Sequence, residues 1–325
     1  MKQMKPLTRD EISLMVAAAQ LCYQKEMTQE EVAEVLNISR PKVSRLLSQA
    51  RKNGIVEIKI RNPIARNTDV QNALIKSFGL ADAIVTPITV DRQEVIVPQI
   101  AQAAASYINA NLPENAVLGL GRGYTIYETV GYLSPGTQQP VVLPLSGGLG
   151  EGEAGFPITE IITRTASALN GKSKFIYAPA LVASKKFRDS VLTEPHSLEV
   201  VQLWDKMDWV VLGIGAIPSL RQLADPDYHR SLRAFVQEVK QQPVSDLCLW
   251  FVLPDGTIPK TSKDICLIAA TPEQIGKAKV RLAVAGGTAK ARAIFAVLRT
   301  GLINVLVTDE RTAEELVTMK EAMPD

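Results

Sequence analysis

Histidine is nearly absent from this sequence of 325 residues, with two, and cysteine is scarce, with three. Cys22, Cys248 and Cys266 stand far apart in apolar runs with no CxxC pair among them. That spacing excludes a disulfide framework and a cysteine-based metal site, and reads the three as buried free thiols. His196 and His229 lie in polar segments away from the glycine-rich strand ends described below, so a solvated or structural role is expected of both. No apolar stretch approaches the roughly 18 to 20 uncharged residues that span a bilayer, and Met1–Asp10 mixes charges without an apolar signal core. A cytoplasmic protein with no membrane partner, no metal and no cofactor is expected. Neither sign of charge dominates, with 36 Lys and Arg against 34 Asp and Glu.

What is present is ordinary globular composition, 46% hydrophobic and 22% charged, which excludes a disordered chain. At about 150 residues per domain the length implies two or so domains. The even charge balance hides an asymmetry. Residues 1–37 hold four basic and six acidic side chains, whereas Ile38–Arg61 holds seven basic residues against the single acid Glu57. A local surplus of this kind suits a phosphate backbone.

Within that stretch the residue pattern predicts two short helices and a tight turn. Thr28 is a fitting N-cap with Glu31 three residues on as its capping-box partner, and Val32, Val35 and Leu36 are assigned to the buried face. Asn37 tolerates the left-handed backbone that a tight turn needs, Ser39 caps a second helix, and Pro41 falls in its first turn. This second helix, Arg40 to about Arg51, buries Val43, Leu46 and Leu47 before Gly54 closes it. Ala33 is small where the helices cross. Together these are the spacing of a helix-turn-helix, whose second helix enters the major groove with its N-terminal half. Thr28, Ser39, Arg40, Lys42, Ser44 and Arg45 are the DNA-binding candidates, Arg40 and Arg45 for base edges and Lys42 for phosphate. Upstream, Ile12, Val16, Ala19 and Tyr23 form a stripe that completes a three-helix unit; downstream, Ile55–Ile60 alternates like a strand that forms a wing or begins a hinge.

From about Val70 helical stretches alternate with short apolar runs that end in glycine. Strands are expected at Ala83–Val85, Val117–Gly121, Val141–Leu145, Phe175–Ala178, Trp209–Ile214, Leu247–Val252, Ile265–Ile268, Arg281–Ala285 and Asn304–Val307. Helices are expected at Glu94–Asn111, Thr125–Leu133, Pro157–Leu169, Tyr228–Gln241, Thr288–Thr300 and Glu310–Met319. The alternation predicts an α/β fold with a mostly parallel, Rossmann-like doubly wound sheet, so that ligands bind at the carboxyl ends of the strands. Glycine-rich turns stand at those ends: Gly119–Thr125, Ser146–Gly150, Gly213–Gly215 and Ala285–Lys290, the last with Lys290 one turn inside a helix. Backbone N–H groups at a helix N-terminus accept an anion and Lys290 neutralises one, which points to a phosphorylated or polyhydroxylated ligand. The glycines Gly119, Gly121 and Gly123 lack the spacing and the following acid of a dinucleotide site.

The run Leu21–Leu47 (LCYQKEMTQEEVAEVLNISRPKVSRLL), followed in order by VLGLGRGYTIYE, LPLSGGLG, VVLGIGA, VAGGTAKARAI and GLINVLVTDERTA, resembles the SorC family of sugar-responsive bacterial regulators over nearly the whole chain. The resemblance implies a helix-turn-helix domain over residues 1–61 and an effector domain over 62–325 similar to phosphosugar isomerases and deaminases. It also implies assembly as a homodimer or homotetramer, operator DNA as one partner, and a small-molecule effector, a phosphorylated sugar or polyol, as another. By motif matching, Gly121, Arg122, Gly123, Tyr124 and Thr125 in the first loop and Lys290 in the last meet the effector's phosphate. Ser146, Gly147 and Gly148 lie along the sugar, and Asp246 faces the ligand. Ser146 stands where some relatives carry a basic residue for a second phosphate, so a single phosphate or an uncharged polyol is implied rather than a bisphosphate; Arg122 either replaces that cation or faces solvent.

Two rival functions follow from the same residues. A sugar-phosphate isomerase or deaminase carrying a DNA-binding domain needs an acid/base pair in the pocket, and only Asp246, Asp309, Glu310 and Glu151 stand near strand ends; no catalytic residue is assigned. A scaffold without a small ligand has no use for four glycine-rich strand ends.

Overall fold

Contacts divide the chain into two units, Met1–Ile64 and Ala65–Asp325. The computed structural model describes residues 9–56, 68–149, 156–217 and 226–323, apart from the side chains of 226–231, 263 and 265. The expected wing or hinge at Ile55–Ile60 lies largely outside these residues, as does Glu151.

In the first unit α1 (Arg9–Ala19) runs into a π-helical turn at Gln20–Gln24, followed by α2 (Gln29–Val35) and α3 (Arg40–Lys52). The capping box forms as its sequence demands: Glu31 N–H donates to Thr28 Oγ1 at 3.3 Å, and Thr28 N–H donates back to Glu31 Oε2 at 2.7 Å. These bonds also hold the Glu31 carboxyl below the usual carboxylate range. Asn37 takes φ +52° and the Ile38 N–H donates to Ala33 O at 2.9 Å, which fixes the turn between α2 and α3. Met15, Ala18, Val32, Ala33, Val43, Leu46, Leu47 and Ala50 form the core. Burial of each larger apolar side chain contributes about 1.5–3 kcal/mol.

Two assignments shift by a fraction of a turn. Val35 is 59% exposed, and Ile12 and Tyr23 are both 41% exposed; of the expected upstream stripe Ala19 is buried, and Met15 and Ala18 join it on the buried face of α1. Helices this short hold their core on a narrow face. A position one residue from the interior one then points to solvent.

The second unit begins with α4 (Thr68–Phe78) and β1 (Asp82–Thr86), followed by α5 (Gln93–Asn111), β2 (Val117–Leu120), α6 (Tyr124–Gly131) and β3 (Val141–Pro144). It continues with α7 (Ile158–Ala168), β4 (Lys172–Ser173), α8 (Lys185–Thr193), α9 (Pro195–Trp204) and β5 (Trp209–Gly213). A short strand β6 (Gly215–Ala216), helix α10 (Pro226–Val239) and strands β7 (Ser245–Leu247) and β8 (Trp250–Val252) come next. The chain ends with α11 (Pro272–Lys277), β9 (Val280–Val284), α12 (Ala291–Arg299), β10 (Val305–Asp309) and α13 (Glu310–Ala322).

Seven strands form one sheet in the order β1-β10-β9-β5-β2-β3-β4, and every described pairing in it is parallel. Strand residues alternate between two cores. Leu118, Leu120, Val142, Val211, Val284 and Val307 pack with α5, α6 and α7, while Leu143, Val210, Leu212, Ala283 and Leu306 pack with α4, α9, α12 and α13. Both faces are covered, as a parallel sheet requires. Strand order reverses at β2 and β5: the chain runs outward from β2 through β3 to β4, then returns to place β5 on the other side of β2.

Three expected strands take other forms. Leu247–Val252 is a hairpin in which Cys248 (φ +52°) and Leu249 (φ +73°) form a two-residue turn, so β7 pairs antiparallel with β8 on one side and with β6 on the other. Of Ile265–Ile268, the first two residues fall on a 3-10 turn, Ser262–Cys266, held at its start by the Thr261 N–H donating to Asp264 Oδ2 at 2.7 Å, and Leu267 makes only an isolated bridge to Leu181. Phe175–Ala178 is an irregular crossing with Tyr177 80% exposed; the fourth strand is Lys172–Ser173 beside β3. Lys290 sits in a 3-10 turn, Thr288–Lys290, which Gly287 opens at φ +97° and which leads directly into α12.

Candidate functional site

A cleft of about 340 Å³ opens at the carboxyl ends of β2 and β5, at the point where strand order reverses. The glycine inside β2 and the two that follow it each do a different task. A Cβ on Gly119 would lie 2.5 Å from Met207 Sδ and 2.7 Å from Leu145 Cδ2, so this glycine permits close packing inside the sheet. Gly121 passes tightly beside β5, with its N–H donating to Val211 O at 2.8 Å and a Cβ position 3.1 Å from Leu212 Cδ2. Gly123 takes φ +113° and caps α6, so the chain turns there and directs the helix N-terminus into the cleft.

Gly121, Arg122, Gly123, Tyr124 and Thr125 line the cleft, as do Asp246 and Lys290, so seven of the sequence-derived effector candidates are brought together. Arg122 faces the cleft rather than bulk solvent alone. Asp246 arrives on β7, where its Oδ1 accepts the Leu249 N–H at 2.9 Å and so closes the hairpin turn. Its Oδ2 is buried and without a hydrogen-bond partner among the described residues. An unpartnered buried carboxylate oxygen is a strong acceptor for a hydroxyl group. Burial holds the Lys290 ammonium below the usual lysine range, and no neighbouring carboxylate offsets that desolvation among the described residues. An anion entering the cleft restores the balance, so cations, helix N-terminus and acceptor together suit a ligand with an anionic end and a hydroxylated body.

Ser146, Gly147 and Gly148 are not among the residues that line the cleft. The Gly147 N–H donates to Ile268 O at 2.9 Å and the Gly148 N–H to Ala178 O in the crossing chain at 3.0 Å, so both donors are spent on neighbouring backbone. Ser146 is buried, with its hydroxyl donating to Gly147 O at 3.1 Å. The donors of this glycine turn are thus engaged within the fold.

The sequence reading did not assign Gln93, Phe156, Leu212 and Cys248 to the cleft. Gln93 reaches it by donating its Nε2 to Gly286 O at 2.9 Å across 193 residues of sequence, a pairing for which no local signal exists. The Phe156 ring packs at a tilt against Tyr124 and Tyr127, with centroids 5.7 Å and 6.0 Å away, to form an aromatic wall. Burial pushes the Cys248 thiol up to about 12, so it stays protonated and is no nucleophile. His196 lies outside the cleft, 85% exposed and 3.1 Å from Glu194 Oε1. Asp309 is fully buried and engaged with Gly287 and Thr312.

In the first unit Ser39, Arg40, Lys42, Ser44 and Arg45 are all exposed at the N-terminal half of α3. Arg45 Nε donates to Pro41 O at 3.4 Å, and Arg40 Nε lies 2.7 Å from Glu30 Oε1. Thr28 differs from these five: its hydroxyl and N–H are engaged in the cap of α2. Among the described residues no group of three or more metal-ligating side chains occurs, and no helix is long and apolar enough to cross a membrane.

Residues 62–318 match the family profile of a sugar-binding domain, and residues 13–67 match a Crp-like helix-turn-helix domain. The sorbitol operon regulator of Klebsiella pneumoniae is 27% identical over 311 residues, covering 95% of this chain and 98% of the relative. The deoxyribonucleoside regulator of Bacillus subtilis is 25% identical over 312 residues, covering 96% and 99%. The crystal structure of the full-length sorbitol operon regulator SorC from Klebsiella pneumoniae superposes with a TM-score of 0.71 at 27% identity, over 95% of this chain and 99% of that one.

Proposed function

This chain belongs to the SorC family of transcriptional regulators, which joins a helix-turn-helix to a sugar-binding domain, and from that premise we propose that its grip on operator DNA is set by a phosphorylated sugar or polyol held in the cleft at β2 and β5. It is a DNA-binding regulator, and its relatives are named as regulators rather than enzymes. In this reading residues 1–61 bind DNA and residues 62–325 bind the effector and carry self-association as a homodimer or homotetramer.

The observation that carries the effector class is the pairing of an unbalanced, half-buried cation, Lys290, with the unpartnered Asp246 Oδ2 in one cleft. The phosphate is placed against Lys290, Arg122 and the α6 N-terminus at Gly123–Thr125, and the hydroxyls against Asp246. On the DNA side, Arg40 and Arg45 contact base edges while Ser39, Lys42 and Ser44 reach phosphates or bases from the same helix end. The carbohydrate operon and the cytoplasm belong to the same proposal.

Ligand binding acts as a population shift. It favours one packing of the effector domains in the oligomer, and thereby the spacing of paired reading helices against half-sites about one helical turn, or a multiple of it, apart. The test is a thermal-shift screen of sugar phosphates and polyols, followed by DNA-binding titrations with the compounds that raise the melting temperature. A screen in which nothing stabilises the protein, or in which stabilising compounds leave operator affinity unchanged, overturns the reading.

A further inference from the structure

One exposed ion pair stands where the proposed reading helix begins. Arg40 is the first residue of α3 and Glu30 the second of α2, and Arg40 Nε lies 2.7 Å from Glu30 Oε1 with the side chains 65% and 61% exposed. The two helix starts are already fixed without it. The Thr28–Glu31 box caps α2, the Asn37 turn sets the path between the helices, and Val32, Val43 and Leu46 pack beneath. An ion pair this exposed contributes roughly 0–1 kcal/mol to folding, so stability does not account for it.

Its geometry accounts for it better. A guanidinium carries five N–H donors in a planar fork: Nε lies on the side edge, and the outer N–H groups of the two Nη atoms form the end edge. A carboxylate on Nε occupies the side edge and leaves the end edge facing outward. Guanine offers O6 and N7 as adjacent acceptors in the major groove, which an arginine meets by either edge. A free arginine at a helix start also turns readily to a phosphate. With its side edge held, Arg40 meets a guanine end-on, and the carboxylate beside it makes the phosphate alternative unfavourable by like-charge repulsion.

The geometry points to Glu30 as a positioning residue for base reading: it holds Arg40 end-on for a guanine in each half-site, and it raises sequence discrimination rather than overall affinity. The inference rests on the assignment of α3 as the reading helix with Arg40 on a base.

The experiment uses the full-length protein in four forms: unchanged, Arg40→Ala, Glu30→Gln and Glu30→Ala. Each selects duplexes from a randomised library, and binding is then measured on the selected duplex, on duplexes changed at single positions, and on an unrelated duplex. The unchanged protein is expected to prefer guanine at one position per half-site by about five-fold to a hundred-fold, as a bidentate arginine contact gives. Arg40→Ala removes that preference. Both Glu30 variants keep an unchanged melting temperature, lose most of the preference at the same position, and bind the unrelated duplex as well as before or more tightly, because a negative charge near the phosphates is gone. If Arg40→Ala loses the preference while both Glu30 variants keep it, the positioning role is overturned and the base-reading assignment stands. Glu30 variants that bind every duplex more tightly by one common factor, or that bind none and melt early, overturn it too. If Arg40→Ala keeps the unchanged protein's preference at every position, the base-reading assignment itself falls.

Discussion

Asp309 Oδ2 accepts the Gly287 N–H at 2.7 Å, so the last residue of β10 holds the turn that follows β9. The same carboxylate accepts the Thr312 hydroxyl at 2.6 Å through Oδ2 and the Thr312 N–H at 3.0 Å through Oδ1. A Cβ on Gly286 would lie 2.5 Å from Asp309 Oδ2, so the turn and the carboxylate are fitted to each other. Lys290 follows three residues later, and its place in the cleft depends on this buried anchor.

Asp309→Asn places an NH2 group where an acceptor is needed, whichever way the amide turns. Leaving a buried donor unmet costs about 1–3 kcal/mol. The denaturation midpoint of the second unit is expected to fall, together with its shift on effector binding. An unchanged midpoint would show that the anchor is dispensable.

Lys290→Met is expected to keep DNA binding and to abolish the effector response. Its effect on the ligand-free protein depends on pH. A lysine in the unfolded chain titrates near 10.5, and burial lowers that value in the fold. Below the folded pKa the native protein therefore carries a desolvated cation that the unfolded chain does not. Native stability rises with pH as the proton leaves between the folded pKa and 10.5. Lys290→Met should melt higher than the unchanged protein at neutral pH, and the difference should shrink through that alkaline window. A difference that stays constant with pH would assign the effect to packing.

Two glycine substitutions separate fold from ligand. A Cβ on Gly147 would lie 2.4 Å from Ala178 O and 2.8 Å from Ala180 N, both backbone atoms. Gly147→Ala is expected to destabilise by on the order of 1–3 kcal/mol or more, read by chemical denaturation. A Cβ on Gly213 would meet Arg122 O at 3.6 Å and Ile126 Cγ1 at 3.7 Å, ordinary contacts among cleft-lining atoms. Gly213→Ala should fold normally and lose effector affinity. Equal stability losses in both would contradict the distinction.

In the first unit, Thr28→Ala removes the cap of α2 at a cost of about 1 kcal/mol, visible as faster hydrogen exchange of the α2 amides. Arg40→Ala combined with Arg45→Ala should leave exchange unchanged and abolish operator selectivity. Operator binding equal to that of the unchanged protein would remove α3 from the reading role.

The parts of the fold that were legible have local causes. Thr28 with Glu31, Asn37 and Pro41 are chemical punctuation, and α2 and α3 begin and end where these residues allow. The parallel strands β2, β3, β5 and β9 declared themselves as apolar runs ending near glycine, because a strand covered on both faces has no polar side to show. Cys248 and Leu249 carried no such signal. Both take positive φ in a two-residue hairpin turn that glycine or asparagine normally fills, so Leu247–Val252 read as one strand. Asp246 Oδ1 on the Leu249 N–H and the packing of Phe251 on Phe235 hold that turn from outside the segment.

Four glycine-rich strand ends looked alike in sequence, and only neighbours distant in the chain tell them apart. Gly123 turns a helix toward a cleft, whereas Gly147 makes room for the backbone of Ala178, because one strand lies at the reversal of the sheet and the other is crossed by a returning chain. By itself the sequence determined the helix-turn-helix, the α/β class and the chemistry available at strand ends, since these rest on capping, periodicity and residue type. Tertiary structure decided which of those ends form the cleft, that Lys290 is desolvated in it, and that Arg40 meets Glu30. Burial and long-range proximity are properties of the packed chain and have no local signature.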